Sequence, residues 1–361
     1  MDFGMMFFSS LTQSPGTDKY SLLRTAAEFG DQHGFSSIWV PERHFHEFGG
    51  LYPNPAIALA ALTTATKRIQ LRAGSLISPL HNPIRIAEEW SMLDNLSSGR
   101  VAVSFGSGWN IEDFIFFPDR YANRRQLIFE QVAMIQSLWR GEAITQTGPD
   151  GRNIDVHLYP RPVQPSLPIW ITASGNESTF KSAGTLGAHV LTHLIGQDLN
   201  ALGQKIRTYR TARQESGYDP ATGIVSLMLH SYLGEDLNEV RATVEKPFRE
   251  YIRSAISLEQ KSAKSGGSIS GGHEMSSAQI DPSDMDDLLD LTFERYFRNA
   301  SLMGTVTSCC DFVEQLQELG VNEIACLIDF GVPPELVIKC LPALDKVRTN
   351  SFRNHSPDGA D

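Results

Sequence analysis

Eight short runs of apolar, β-branched or aromatic residues recur along the 361-residue chain, separated by segments long enough to hold helices. They cover residues 3–8, 36–40, 69–76, 101–105, 168–173, 189–194, 224–233 and 323–328. Strands spaced in this way pair in parallel, because the chain must cross back to the same end of the sheet before each new strand begins. No Gly-rich dinucleotide loop follows the first run. The pattern therefore predicts an α/β fold, a single (β/α)8 barrel (a TIM barrel) with insertions, rather than an open doubly wound sheet. Helices are legible between the runs. Leu22, Leu23, Ala26 and Phe29 mark one over 18–34, and Ile128, Val132, Ile135 and Trp139 mark another over 123–141, with Gly141 placed to end it. Pro83 opens a third that carries Ala87, Trp90, Leu93 and Leu96 and stops at Ser98 and Gly99.

Two stretches exceed the plain repeat. Residues 142–167 combine prolines with turn signals and predict a small hairpin before the fifth barrel strand. Residues 257–285 are rich in Ser and Gly, and predict a mobile lid between strands seven and eight, at the end of a barrel where active sites are built. The barrel domain is expected over residues 1–349, followed by a polar flexible tail over 350–361. With 31 Lys plus Arg against 42 Asp plus Glu, the net charge of -11 excludes a broad nucleic-acid or anionic-membrane surface. The N-terminal residues lack a signal-peptide pattern and no apolar run is long enough to span a bilayer, so the expected location is cytoplasmic. The four cysteines, Cys309, Cys310, Cys326 and Cys340, form no CxxC pair and read as free thiols.

Candidate chemistry sits where the strands end. The first strand runs into Ser9 and the second into PERHFHEFGG, the densest polar cluster of the chain, with Glu42, Arg43, His44, His46 and Glu47. An HxH pair such as His44 and His46 can hold a metal in barrel hydrolases, which leaves a metal-dependent hydrolase as one alternative. Gly74 and Ser75 interrupt an apolar strand, where a glycine marks a bulge or a close backbone approach. Residues 106–109 (GSGW) and 174–178 (SGNES) are small-residue turns after strands, the second opening a helix whose N-terminus favours an anion. Arg125, at the start of the helix after strand four, supplies a cation for the same purpose. Asp329 ends the eighth strand.

Five segments in register, DFGMMFF, GFSSIWVPERHFHEFGGLYPNP, GSLISPLHNPIRIAEEWSMLDNLSSGRVAVSFGSGW, LPIWITASGNESTF and VNEIACLIDFG, resemble the bacterial luciferase-like monooxygenases. The combination of PERHFHEFGGLYPNP, GSGW, THLIGQ and IACLIDFG is most similar to the branch associated with polyketide and nonribosomal-peptide natural-product biosynthesis. The resemblance implies a barrel that binds reduced FMN from a separate flavin reductase, forms a flavin C4a-peroxide with O2 and oxygenates an intermediate, free or bound to a carrier protein. Both hydroxylation and Baeyer-Villiger insertion are compatible with that chemistry. It implies a non-proline cis peptide at Gly74 and Ser75, flavin contacts at Ser107 and Gly108, and phosphate binding by Arg125, Ser174, Gly175 and Ser178. It also places His193 beside the flavin ring. Luciferase carries two consecutive histidines where this chain has Arg43 and His44, so acid-base work falls to His44 or His193, with Arg43 as an electrostatic helper. Related barrels use a deazaflavin, and others bind flavin without turnover, which is the second alternative. The family's habit of pairing barrels, with the small apolar segment 55–65, predicts a homodimer.

Overall fold

The structure, a computed structural model, describes residues 1–8, 18–264 and 282–353. Along the chain run β1 (Asp2–Met6), α1 (Ser21–His33), β2 (Ser37–Val40), α2 (Pro55–Ala60), β3 (Gln70–Ile77), α3 (Pro83–Ser97), β4 (Val101–Gly106) and α4 (Arg124–Arg140). There follow β5 (Ile144–Thr147), β6 (Asn153–Val156), β7 (Ile169–Thr172), α5 (Glu177–Thr185), β8 (His189–His193), α6 (Leu199–Glu215) and β9 (Val225–Leu233). The last elements are α7 (Leu237–Lys264), α8 (Pro282–Asn299), β10 (Leu302–Gly304), α9 (Val306–Glu318), β11 (Glu323–Leu327) and α10 (Pro334–Arg353).

Strands β1, β2, β3, β4, β7, β8, β9 and β11 pair in that order, all parallel, and β11 returns to β1. This is the closed eight-stranded barrel that the alternation predicts. β5 and β6 form the expected antiparallel hairpin outside it, and β10 adds a short parallel pairing to the end of β9. Helix ends follow local chemistry: Asn82 caps α3 through Ile84 N at 2.9 Å, Pro83 occupies its first turn, and Ser98 and Gly99 take left-handed backbone to stop it.

The barrel is filled at its N-terminal end. Arg72 on β3 donates from Nη1 to both oxygens of Glu323 on β11, at 3.0 and 2.7 Å, and its guanidinium lies 4.8 Å from the Trp39 ring and 4.4 Å from the Trp170 ring. Ser36, Ser37 and Ser226 donate to the same carboxylate. This plug occupies the N-terminal end of the barrel, opposite the mouth where the strands end.

The insertion after β9 departs from expectation. Residues 257–264 complete helix α7 and 282–285 open α8, so both ends of the predicted mobile lid are helical, and 265–281 lie outside the described residues. The end of α7 is docked on the segment after β4, where Lys261 pairs with Glu112 at 2.8 Å and Ser262 accepts from Ile111 N at 3.4 Å. At the C-terminus α10 extends through Arg353, which shortens the predicted tail, and 354–361 lie outside the described residues.

Candidate active site

β2 ends in a buried carboxylate that holds two imidazoles. Glu42 Oε1 lies 2.8 Å from His44 Nε2 and 2.6 Å from His81 Nε2, while Oε2 accepts from Ile77 N at 2.6 Å. Burial opposes charge on Glu42, but these hydrogen bonds outweigh it and hold the carboxyl below its usual range. An ionised carboxylate only accepts, so both Nε2 atoms donate, which leaves Nδ1 of each ring for acid-base exchange. Burial would lower His81; its bond to Glu42 and the charge there raise it instead. His81 follows β3 in SPLHNP, and only folding brings it to Glu42.

Arg43 lies beside this pair and is buried. Its guanidinium carbon stands 4.9 Å from the Phe8 ring, 5.3 Å from Trp109 and 5.9 Å from Phe48. Asp113, after β4, faces Arg43 and His44; burial pushes it up to about 6 although both neighbours draw it down, and Asn110 Nδ2 donates to it at 2.7 Å. Phe45, the residue after His44, is exposed in left-handed backbone at φ 54 and packs 5.4 Å from Phe116, which itself meets the His44 ring edge-on at 5.1 Å. A bulky residue held at positive φ is a feature that clusters at functional sites.

The floor beneath these groups is cut back to backbone. The Gly74–Ser75 peptide is cis, as the resemblance implies, and β3 shifts register there so that Ser75 is an extra residue. A Cβ on Gly74 would fall 2.8 Å from Trp39 and 2.9 Å from Met6, so only glycine fits. Ser75 Oγ and Ser104 Oγ both meet Thr172 Oγ1, at 2.6 and 2.7 Å, forming a hydroxyl cluster across β3, β4 and β7. Above them Gly106 presents no side chain.

β4 and β7 are neighbours, so Ser107, Gly108 and Arg125 share one side of the mouth with Ser174, Gly175 and Ser178. Gly108 has φ 74, and its carbonyl accepts from Arg124 Nε at 2.9 Å. Arg124, which sequence reasoning passed over, thereby ties the β4 turn to the start of α4 beside Arg125. Asn176 caps α5: its Oδ1 accepts from both the backbone N and the Oγ of Ser178, each at 2.9 Å. Ser178 is therefore engaged in the cap, a local preference that a small-residue motif does not reveal.

His193 ends β8 as expected, but its chemistry differs from expectation. Its Nδ1 accepts from Ile195 N at 3.1 Å and burial pushes the ring down to about 4, so at neutral pH it is an uncharged Nε2–H donor rather than an acid poised near working pH. The HxH pair does not converge, since His44 turns to Glu42 and His46 Nδ1 accepts from Phe48 N at 3.0 Å. Among the described residues no three His, Cys, Asp or Glu side chains are placed to hold a metal ion. Ser9 lies outside the described residues.

The model of the luciferase-like monooxygenase family matches residues 1–323. This chain belongs to that family. Its relatives include the oxygenase component of a flavin-dependent trigonelline monooxygenase from Acinetobacter baylyi, 23% identical over 322 residues, covering 87% of this chain and 84% of the relative. Among solved structures, the FMN complex of the oxygenating constituent of 3,6-diketocamphane monooxygenase from Pseudomonas putida superposes with a TM-score of 0.75 at 18% identity, covering 97% of this chain and 98% of the other. An F420-dependent secondary alcohol dehydrogenase has a TM-score of 0.67 at 20% identity, covering 95% and 99% of the two chains. These likenesses show the barrel fold.

Proposed function

We propose that this luciferase-like chain is the oxygenase of a two-component system, taking reduced FMN from a separate flavin reductase and O2 to oxygenate a natural-product intermediate, free or carrier-bound. The observation that carries the reading is the mouth itself, where β2, β3, β4, β7 and β8, consecutive around the barrel, present Glu42 and His44, Gly74 and Ser75, Gly106, Ser174 and His193. A flat ring fits a floor of glycines and hydroxyls better than a compact ligand does, and a phosphate fits Arg125 beside the turn at Ser174 and Gly175. Ser107 and Gly108 would flank the same group.

Reduced FMN, when bound, supplies the electrons that activate O2. The protein's own part is acid-base and steric. His44, oriented by Glu42, accepts or returns a proton at Nδ1, and Glu42 stabilises the protonated ring. His81, on the same carboxylate and more open to solvent, compensates the charge and exchanges protons with water. His193 stays neutral and donates from Nε2. Phe45, Phe116 and Trp109 exclude water from the group they surround.

Anaerobic titration with reduced FMN, then rapid mixing with oxygenated buffer, tests the reading. Tight binding of reduced FMN followed by delayed return of oxidised-flavin absorbance is expected. Binding of oxidised FMN with no reaction toward O2 would leave a passive flavin-binding barrel, and preference for reduced F420 would assign the site to the deazaflavin.

A further inference from the structure

Arg43 is a buried cation whose guanidinium has no hydrogen-bonded partner among the described residues. Its backbone N donates to Tyr52 O at 3.0 Å, yet the guanidinium makes no hydrogen bond or ion pair among the described residues, and Nε is sealed from solvent. Other buried arginines of this chain are satisfied: Arg72 grips Glu323, and Arg213 reaches the carbonyls of Gly187 and Ala188. A buried guanidinium with idle N–H groups costs several kcal/mol in general, and its surroundings are aromatic: Phe8, Phe48 and Trp109.

We propose that Arg43 is the receptor for a carboxylate on the organic substrate, and that the substrate is an apolar, planar acid whose body lies among the aromatic rings around the guanidinium. The planar fork of donors matches a carboxylate in two parallel hydrogen bonds, and the aromatic walls match an apolar body rather than a hydrated inorganic ion. Two acidic side chains face Arg43, Asp113 from the segment after β4 and Glu259 from α7, with Tyr251 of α7 as a third titratable neighbour. Burial pushes Asp113 up to about 6 and Glu259 up to about 7, against the pull of Arg43, and neither carboxylate comes close enough to the guanidinium to form an ion pair or hydrogen bond with it. The incoming carboxylate takes the place they leave open. The assignment of this acid as the substrate rests on the oxygenase reading above.

The test uses the full chain with FMN, benzoate as probe and benzamide as its uncharged counterpart, followed by calorimetry. Benzoate is expected to bind the wild type about tenfold more tightly than benzamide or better, the scale of one charge-assisted hydrogen bond. Arg43→Met should erase that preference, and Arg43→Lys should keep part of it. Equal affinities for the two probes in the wild type, or binding of neither, overturn the proposal without recourse to a variant. Because reduced FMN is itself anionic, the same variants are titrated with it anaerobically, where affinities within about threefold of wild type are expected. Loss of reduced-FMN affinity in Arg43→Met with the benzoate preference intact would assign the arginine to the cofactor and overturn the proposal. If the wild type fails to bind reduced FMN while the benzoate preference and its loss in Arg43→Met persist, the oxygenase reading falls and the acid receptor stands.

Discussion

His44 and His81 share one oxygen of Glu42, and that sharing decides what each residue can do. With Nε2 committed to an ionised carboxylate, Nδ1 is the atom His44 has for the proposed proton exchange, and its removal should slow substrate oxygenation by about 100-fold, the scale of a lost general acid or base. Reduced-FMN affinity in His44→Ala should stay near wild type, and the fraction of turnover lost to hydrogen peroxide should rise; unchanged rate and coupling would make His44 structural. The opposite end of the barrel offers a stability prediction. Burial opposes charge on Glu323, but Arg72 and the serine hydroxyls outweigh it and hold the carboxyl below its usual range. A lowered folded-state pKa contributes stability above the unfolded glutamate value of about 4.3, and that contribution is lost as pH falls through the lower folded-state value. Arg72→Met strands the carboxylate and should cost about 3 to 5 kcal/mol near neutral pH. The deficit should narrow toward acid, because a protonated Glu323 no longer needs a cation. Urea unfolding of both proteins at neutral and mildly acidic pH measures it, and a deficit independent of pH would place the cost in packing instead.

Helices α4 and α5 follow β4 and β7, which are neighbours in the barrel, and we propose that this adjacency turns two weak motifs into one anion site. Arg125→Ala should weaken reduced-FMN binding by about 1.5 to 3 kcal/mol, the range for a hydrogen bond to a charged group. Unchanged affinity in an anaerobic titration would remove Arg125 from the site. The barrel strands were legible because each is a short buried run bounded by turns, and the helices because their apolar stripes and stop signals agree. α7 and α8 were less so: Ser- and Gly-rich composition over 257–285 masks the helical ends that pack Tyr251 and Glu259 near Arg43. The site was legible only as a set of strand ends. That His81 meets Glu42, or that the Arg43 guanidinium pairs with no carboxylate among the described residues, depends on side-chain directions set by neighbouring strands, which spacing along one chain does not encode. The neutral state of His193 was hidden for the same reason, since burial rather than residue type sets it.

At the scale of the molecule, Leu237, Leu291 and Ile338 stand exposed on α7, α8 and α10, and further exposed apolar side chains gather on α2 and α3. There Ile57 is 71% exposed, Met92 58% and Leu96 53%, on two helices that pack against each other and follow β2 and β3. Ala56, Leu59 and Leu62 face inward, which explains half of the apolar character of 55–65 and leaves the outward half uncovered among the described residues. We propose that this face joins two copies in a homodimer. A stable interface buries about 1,200 to 2,000 Å² in total, an area that two helices supply when each copy contributes both. Leu96→Glu would place a charge in the middle of that apolar contact and should shift the protein from a species of twice the chain mass to a single chain in sedimentation, with its circular dichroism unchanged. Arg125 and His44 are built from one chain alone, so the monomeric variant should keep its affinity for reduced FMN. A wild-type protein that sediments as a single chain at micromolar concentration would reject the dimer, and the exposed apolar residues would then belong to a different contact.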